Sequence, residues 1–198
     1  MKIFCVLVMA GLSLGAPAAA RQNTQQNSPQ ASQQPPTVAA FVRARYTGRQ
    51  NEIVRAAEKM PEEFYGLRPG SQEEVRTFGQ HMAHIANFNF LWCAQASGQK
   101  NPNSDNLEKT LKTKAEFMKA LKDSYAFCDS AYNSLTDASG AEILEMTQEG
   151  GRTRRLPRMG LLLLNLGHND EVYGSMVTTM RIKNIVPPGS EPRPQQPR

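Results

Sequence analysis

Apolar residues recur at helical spacing in four separate stretches of this chain, and none shows the sustained alternation of a strand. The third stretch is the cleanest. Leu111, Ala115, Met118, Leu121, Tyr125, Cys128, Tyr132 and Leu135 step by three or four residues, as a buried helical seam does, and Asp137-Ala138-Ser139-Gly140 ends it. The first stretch, residues 38–60, carries Val38, Val42, Tyr46, Ile53, Ala57 and Met60 and stops at Pro61. After a connector over residues 62–70, Ser71 reads as an N-cap with Glu74 completing a capping box, and the second helix runs from there to residue 97, before Gly98. A polar stretch with Gly150, Gly151 and several arginines precedes the fourth helix, residues 157–185. Pro157 suits its first turn and Pro187-Pro188 closes it. Four such stripes must be buried, and packing them on one another is the economical solution. The expected fold class is therefore all-α, a four-helix bundle. The links after the second and third helices are each long enough to cross an end of it.

The two ends of the chain read differently. Lys2, an apolar run over residues 3–14 and Ala18-Ala19-Ala20 before Arg21 describe a secretory signal peptide over residues 1–20, with a run short for a membrane span. Cys5 lies inside that run rather than after it, against a lipoprotein cleavage site. Residues 21–36 are Gln, Asn, Ser and Pro with little apolar content, the composition of a disordered tether, and residues 187–198 read likewise as a Pro-rich tail. The folded domain is expected over residues 37–186, exported to a periplasmic or extracellular setting and without a membrane segment once the signal is removed. The net charge of +5 is mild. Arg152, Arg154, Arg155 and Arg158 cluster without interleaved aromatics, so they read as a solvated loop feature, and no nucleic-acid partner is expected.

Histidine occurs at only three positions, His81, His84 and His168. His84 shares a helical face with His81, Phe88 and Leu91, and His168 belongs to the stripe Leu161, Leu164, His168, Val172, Met176 and Met180. One inward imidazole is usually a hydrogen-bonded core residue. Two on different helices make a metal site an equal contender, because neutral imidazole is a favoured ligand of divalent transition ions. The motifs of the HExxH metalloproteases, Glu-x-x-His di-iron proteins, phosphate-binding loops and GxSxG hydrolases are all missing.

The run Phe78-Gly79-Gln80-His81-Met82-Ala83-His84-Ile85-Ala86-Asn87 resembles the second-helix signature of the DinB-like (DinB/YfiT) family. The segment from His168 through Gly174 to Met180-Arg181-Ile182 and Pro187-Pro188 is similar to that family's fourth-helix and C-terminal signature, and the connector from Met60-Pro61 to Arg68-Pro69 fits its first link. The resemblance implies a four-helix bundle with a divalent metal, commonly zinc or nickel, held by three histidines at one end. Some members are thiol-dependent transferases or hydrolases, and many have no known activity. Carried over by position, His84 and His168 are metal ligands, but the third ligand should lie one turn after His168, where Val172 stands and cannot coordinate. Either His81 or Glu171 replaces it, or water completes a weak site, or the metal is lost. Two functions follow. One is a metal-dependent hydrolase or thiol transferase acting on a small molecule; the other is a non-catalytic binding protein. Homodimerisation is an expectation of the resemblance alone.

Beyond the signal, the chain keeps Cys93 and Cys128. In an oxidising compartment an even pair is a disulfide candidate, and antiparallel packing of the second and third helices would bring the two together. Two buried thiols are the alternative. A nucleophilic role lacks a basic partner near either. Phe88, Phe90, Trp92 and Tyr125 read as ordinary core.

Overall fold

The computed structural model describes residues 36–147 and 152–192. The expected signal peptide, nearly all of the tether and residues 193–198 lie outside these. Four long helices carry the fold: α1 (Val38–Lys59), α2 (Phe78–Ser97), α4 (Lys114–Asn133) and α6 (Arg158–Ile182), with one-turn segments α3 (Leu107–Thr110) and α5 (Asp137–Gly140) in the links. Both α1 and α2 pack against α4 and α6, which puts α1 and α2 at opposite corners of a four-helix bundle. The expected all-α bundle is what forms.

Each long helix starts where a cap and a core residue coincide. Thr37 accepts from the Ala40 amide at the head of α1, and α1 buries Val42, Tyr46, Ile53 and Ala57. The start of α2 differs from the sequence expectation. Ser71 and Glu74 are exposed and outside any helix, and the capping box is formed by Thr77 and Gln80. Both four-residue patterns could cap, but only Thr77 is followed by Phe78, which is fully buried, and the Phe78 and Gly79 amides bond back to the Leu67 and Tyr65 carbonyls of the connector. A Cβ on Gly79 would lie 2.5 Å from the Phe117 ring, so α2 and α4 approach closely there. At the other end Gly98 takes the left-handed conformation (φ 72°) that ends the helix.

In α4 the Thr113–Glu116 capping box starts the helix after Leu111. Phe117 rather than Ala115 faces the core in the first turn, and the seam is as expected from Leu121 onward. In α6 Leu164 is 40% exposed, whereas Leu162, Asn165 and Asn169 are buried. Leu161, Val172, Met176 and Met180 of the expected stripe are buried, and only around Leu164 does the core side pass instead through Leu162 and Asn165.

Two further differences concern the links. The polar stretch before α6 holds an antiparallel hairpin of β1 (Ile143–Thr147) and β2 (Thr153–Pro157), with Met146 and Leu156 turned inward. Five-residue strands with one or two inward side chains each, Leu144 and Met146 on β1 and Leu156 on β2, are too short to print a sustained period-two pattern. The arginine cluster divides there. Arg154 and Arg155 are exposed on β2, while Arg158 donates to the Ala96 carbonyl at the end of α2 and pairs with Glu142. Residues 187–192, expected within a disordered tail, instead fold back on the bundle. Pro187 and Pro188 are buried, a 3₁₀ turn spans Pro188–Ser190, and Glu191 pairs with Arg55 and with Lys59 (2.7 Å). Composition hides this because the segment is held by two buried prolines and by partners on α1 and α6 that are distant in sequence.

Cys93 and Cys128 form a disulfide between α2 and α4, Cα–Cα 5.2 Å, in the bundle core. Closing a loop of this length stabilises the fold by about 3–4 kcal/mol in the chain-entropy account. Beside it runs a buried polar ladder. Asn89 of α2 donates to the Ser124 hydroxyl (3.2 Å), and its Oδ1 accepts from the amides of Asn165 (2.9 Å) and Asn169 (3.0 Å) on α6. The Tyr132 hydroxyl of α4 donates to Asn165 Oδ1 (2.8 Å).

Candidate functional site

Five residues before Asn89 on α2, and one before Asn169 on α6, the two helices present His84 and His168 to each other. The ring centroids are 4.8 Å apart and the planes are inclined by 46°. Phe88 lies edge-on to His84 at 4.8 Å and tilted to His168 at 4.6 Å, and Trp92 meets His168 edge-on at 5.2 Å. These aromatics wall the imidazoles rather than filling the distant core.

Among the described residues, only one of the four ring nitrogens in this pair has a hydrogen-bond partner. His84 Nδ1 lies 2.6 Å from Glu108 Oε1, and the other Glu108 oxygen accepts from Arg76 Nε at 2.6 Å. Both nitrogens of His168 are buried without a partner. Burial, reinforced by the proximity of His84, lowers the His168 pKa to about 4, so the ring is neutral at physiological pH. Burial opposes ionisation of Glu108, but the hydrogen bonds from His84 and Arg76 outweigh it and bring its pKa to about 2.

The remaining expected residues separate clearly. Val172 is buried (7% exposed) at the position where the resemblance implies a third ligand. Glu171 is exposed, because a residue three positions after His168 lies on the flank of α6 away from the pair. His81 is buried at 7% exposure with both ring nitrogens unpartnered; burial first, then Arg76, lowers its pKa to about 4. Among the described residues no group of three or more His, Cys, Asp or Glu side chains is placed to hold a metal ion. The buried, unpartnered and neutral nitrogens of His168 suit a divalent transition ion in chemistry. The number of donors does not: two imidazoles remain of the three the resemblance implies, and the nearest carboxylate has both oxygens engaged.

Glu108 carries almost no sequence signal. It sits on α3, in a crossover that shows no periodicity, and its one local mark is Asn106, whose side chain caps that turn by accepting from the Glu108 amide (3.2 Å). Arg76 is equally silent, since it falls in the segment expected to be the first turn of the second helix.

The bundle, with a histidine from its second long helix facing one from its fourth, defines a protein class, and the comparisons agree on which. The DinB superfamily model matches residues 45–171, and the chain belongs to that superfamily, whose members are generally metal-associated. Two solved structures share the fold. A DinB-like protein from Bacillus cereus ATCC 10987 aligns with a TM-score of 0.59 at 17% identity, over 78% of this chain and 98% of that one. A DinB-like protein (YjoA) from Bacillus subtilis aligns with a TM-score of 0.54 at 16% identity, over 73% and 92%. No curated protein matches.

Proposed function

We propose that this chain is an exported DinB-like protein whose divalent-metal centre has lost one of three imidazole donors, leaving a weak two-histidine site. The observation that carries the reading is the convergence of His84 and His168 beside a buried Val172. His84 and His168 would hold the ion, zinc or nickel by the family's habit, and Glu108 would orient His84. An ion held there would supply Lewis acidity, the chemistry of a hydrolase or thiol transferase on a small molecule. With two protein donors instead of the usual three, that activity is at most residual. The burial of Val172 favours a second reading, in which the site has become metal-free and the bundle binds a small molecule without turning it over. Export is supported by the signal-like first twenty residues and by the Cys93–Cys128 bridge, since such bridges persist in oxidising compartments.

The test is metal content of the mature chain, purified without chelator or metal-affinity tag. The proposal expects well under one zinc or nickel per chain, rising toward one in Val172→His. A full equivalent in the wild type, lost in His84→Ala and His168→Ala, would show an intact centre and overturn it.

A further inference from the structure

We infer that the end of the bundle where α1 and α6 begin is a docking surface for an anionic lipid bilayer, with apolar side chains entering the interface and arginines among the headgroups. The inference is independent of the metal reading. Single exposed apolar side chains are ordinary on a protein surface, whereas a cluster of them marks a contact. Of the eight large apolar side chains exposed among the described residues, four gather at this end. Val38 and Phe41 lie in the first turn of α1, Ile143 on β1 and Leu163 in the second turn of α6. Val38 and Leu163 line a groove of about 400 Å³ together with Pro157, Met159 and Gly160, and Ile143 is the hairpin partner of Pro157. Phe41, one turn along α1 from Val38, is 64% exposed.

Arginines stand behind this apolar tip on two separate elements. Arg45 follows Phe41 by one turn on the same flank of α1, half-exposed, with Asp170 as far as 3.7 Å away. Arg152 and Arg154 are exposed and have no ionic partner among the described residues. Arg155 shares a face of β2 with Pro157 and meets Glu145 at 3.3 Å in an exposed pair, which holds it weakly. The other carboxylates here are engaged: Asp137, also in the groove wall, accepts from the Ala39 amide (2.7 Å), and Glu142 pairs with Arg158 (2.7 Å). Apolar groups in front and guanidinium groups behind is the order that an anionic interface selects, because long basic side chains bury their stems and keep their charge among the phosphates. Among the described residues no helix is long and apolar enough to cross a membrane, so the contact is peripheral.

Two observations favour a bilayer over a second copy of the chain. A symmetric contact would set one arginine rim against another. The described chain also begins at Pro36, two residues before Val38, so residues 1–35, with their apolar run over 3–14, are joined to the fold at this end.

The experiment is co-sedimentation of the mature, disulfide-bonded protein, residues 21–198, with vesicles of phosphatidylglycerol and phosphatidylethanolamine. Phosphatidylcholine vesicles are the neutral control, and both are run at low and physiological salt. Wild type should bind the anionic vesicles at least about 10-fold more tightly, and salt should weaken that binding. Phe41→Ser should lower it about 10-fold, and the double variant Arg152→Gln, Arg154→Gln about 5-fold for each charge removed. Because these side chains are exposed, the unfolding midpoints should stay near that of wild type. Should Phe41→Ser fail to fold, Ile143→Ser tests the same surface. No binding to anionic vesicles, equal binding to neutral ones, or binding unmoved by Phe41→Ser and Ile143→Ser overturns the proposal. So does a dimer in analytical ultracentrifugation that Phe41→Ser dissociates, since the surface then belongs to a second copy.

Discussion

The two polar clusters that join α2 to α6 are neighbours on the same helices and differ in their hydrogen bonding, with Asn169 Oδ1 the one ladder atom buried without a partner. In the asparagine ladder both polar atoms of the Asn89 side chain are bonded, to partners on two other helices. In the histidine cluster, His168 and His81 bury both ring nitrogens and pair neither. A buried polar group without a partner costs roughly 1–3 kcal/mol, so the first cluster contributes to stability and specifies how α2, α4 and α6 align. The second costs stability. Four of the buried side-chain atoms without a partner among the described residues are the ring nitrogens of His81 and His168.

That contrast can be broken by experiment. Replacing Asn89 with Leu should be the most damaging change, about 3 kcal/mol, because it strands the amides of Asn165 and Asn169 together. Urea unfolding with the disulfide intact reads it, and a loss below about 1 kcal/mol would reduce the ladder to decoration. The histidine end should instead announce itself through pH. The folded pKa of His81 and of His168 is about 4, below the 6.5 of a free imidazole. Their contribution is therefore complete above pH 6.5 and lost as the pH falls from there toward 4, at up to about 1.4 kcal/mol per pH unit for each ring. Unfolding midpoints measured from pH 7 to 4.5 should show the decline, with a shallower slope in His81→Leu. Smaller again, Thr77→Ala should cost about 1 kcal/mol by uncapping α2, whereas Ser71→Ala should change the midpoint negligibly. Least of all, His168→Leu should be neutral or slightly stabilising, by no more than about 1 kcal/mol, since it removes two unpaired nitrogens. A loss above about 2 kcal/mol there would mean that His168 belongs to the structural cluster after all.

Several of these elements are legible in the amino-acid sequence. The four stripes locate the helices, and the inward faces that carry His84 and His168 bring the two together across the bundle. The Val172 gap is visible as a residue identity at a spacing of four. Glu108 and Arg76 are not legible, because Glu108 lies in a link held by Asn87 of α2, and Arg76 lies just before a cap that the expected Ser71 start displaced. The asparagine ladder is hidden as well: Asn89, Asn165 and Asn169 look like surface residues until Ser124 and Tyr132 are brought against them. The choice of Thr77 over Ser71 is of the same kind, since Phe78 selects the cap by being buried.

Local periodicity, caps and breakers determined that this chain forms four amphipathic helices, because those signals act within one or two turns and need no partner. Residue identity at helical spacing likewise put Val172 where the resemblance implies a third imidazole, while leaving His81 and Glu171 open as substitutes. Tertiary structure alone decided which side chains complete that meeting and which satisfy the core. A hydrogen bond between residues 24 or 76 positions apart depends on how the helices are brought together in space, which no local pattern encodes.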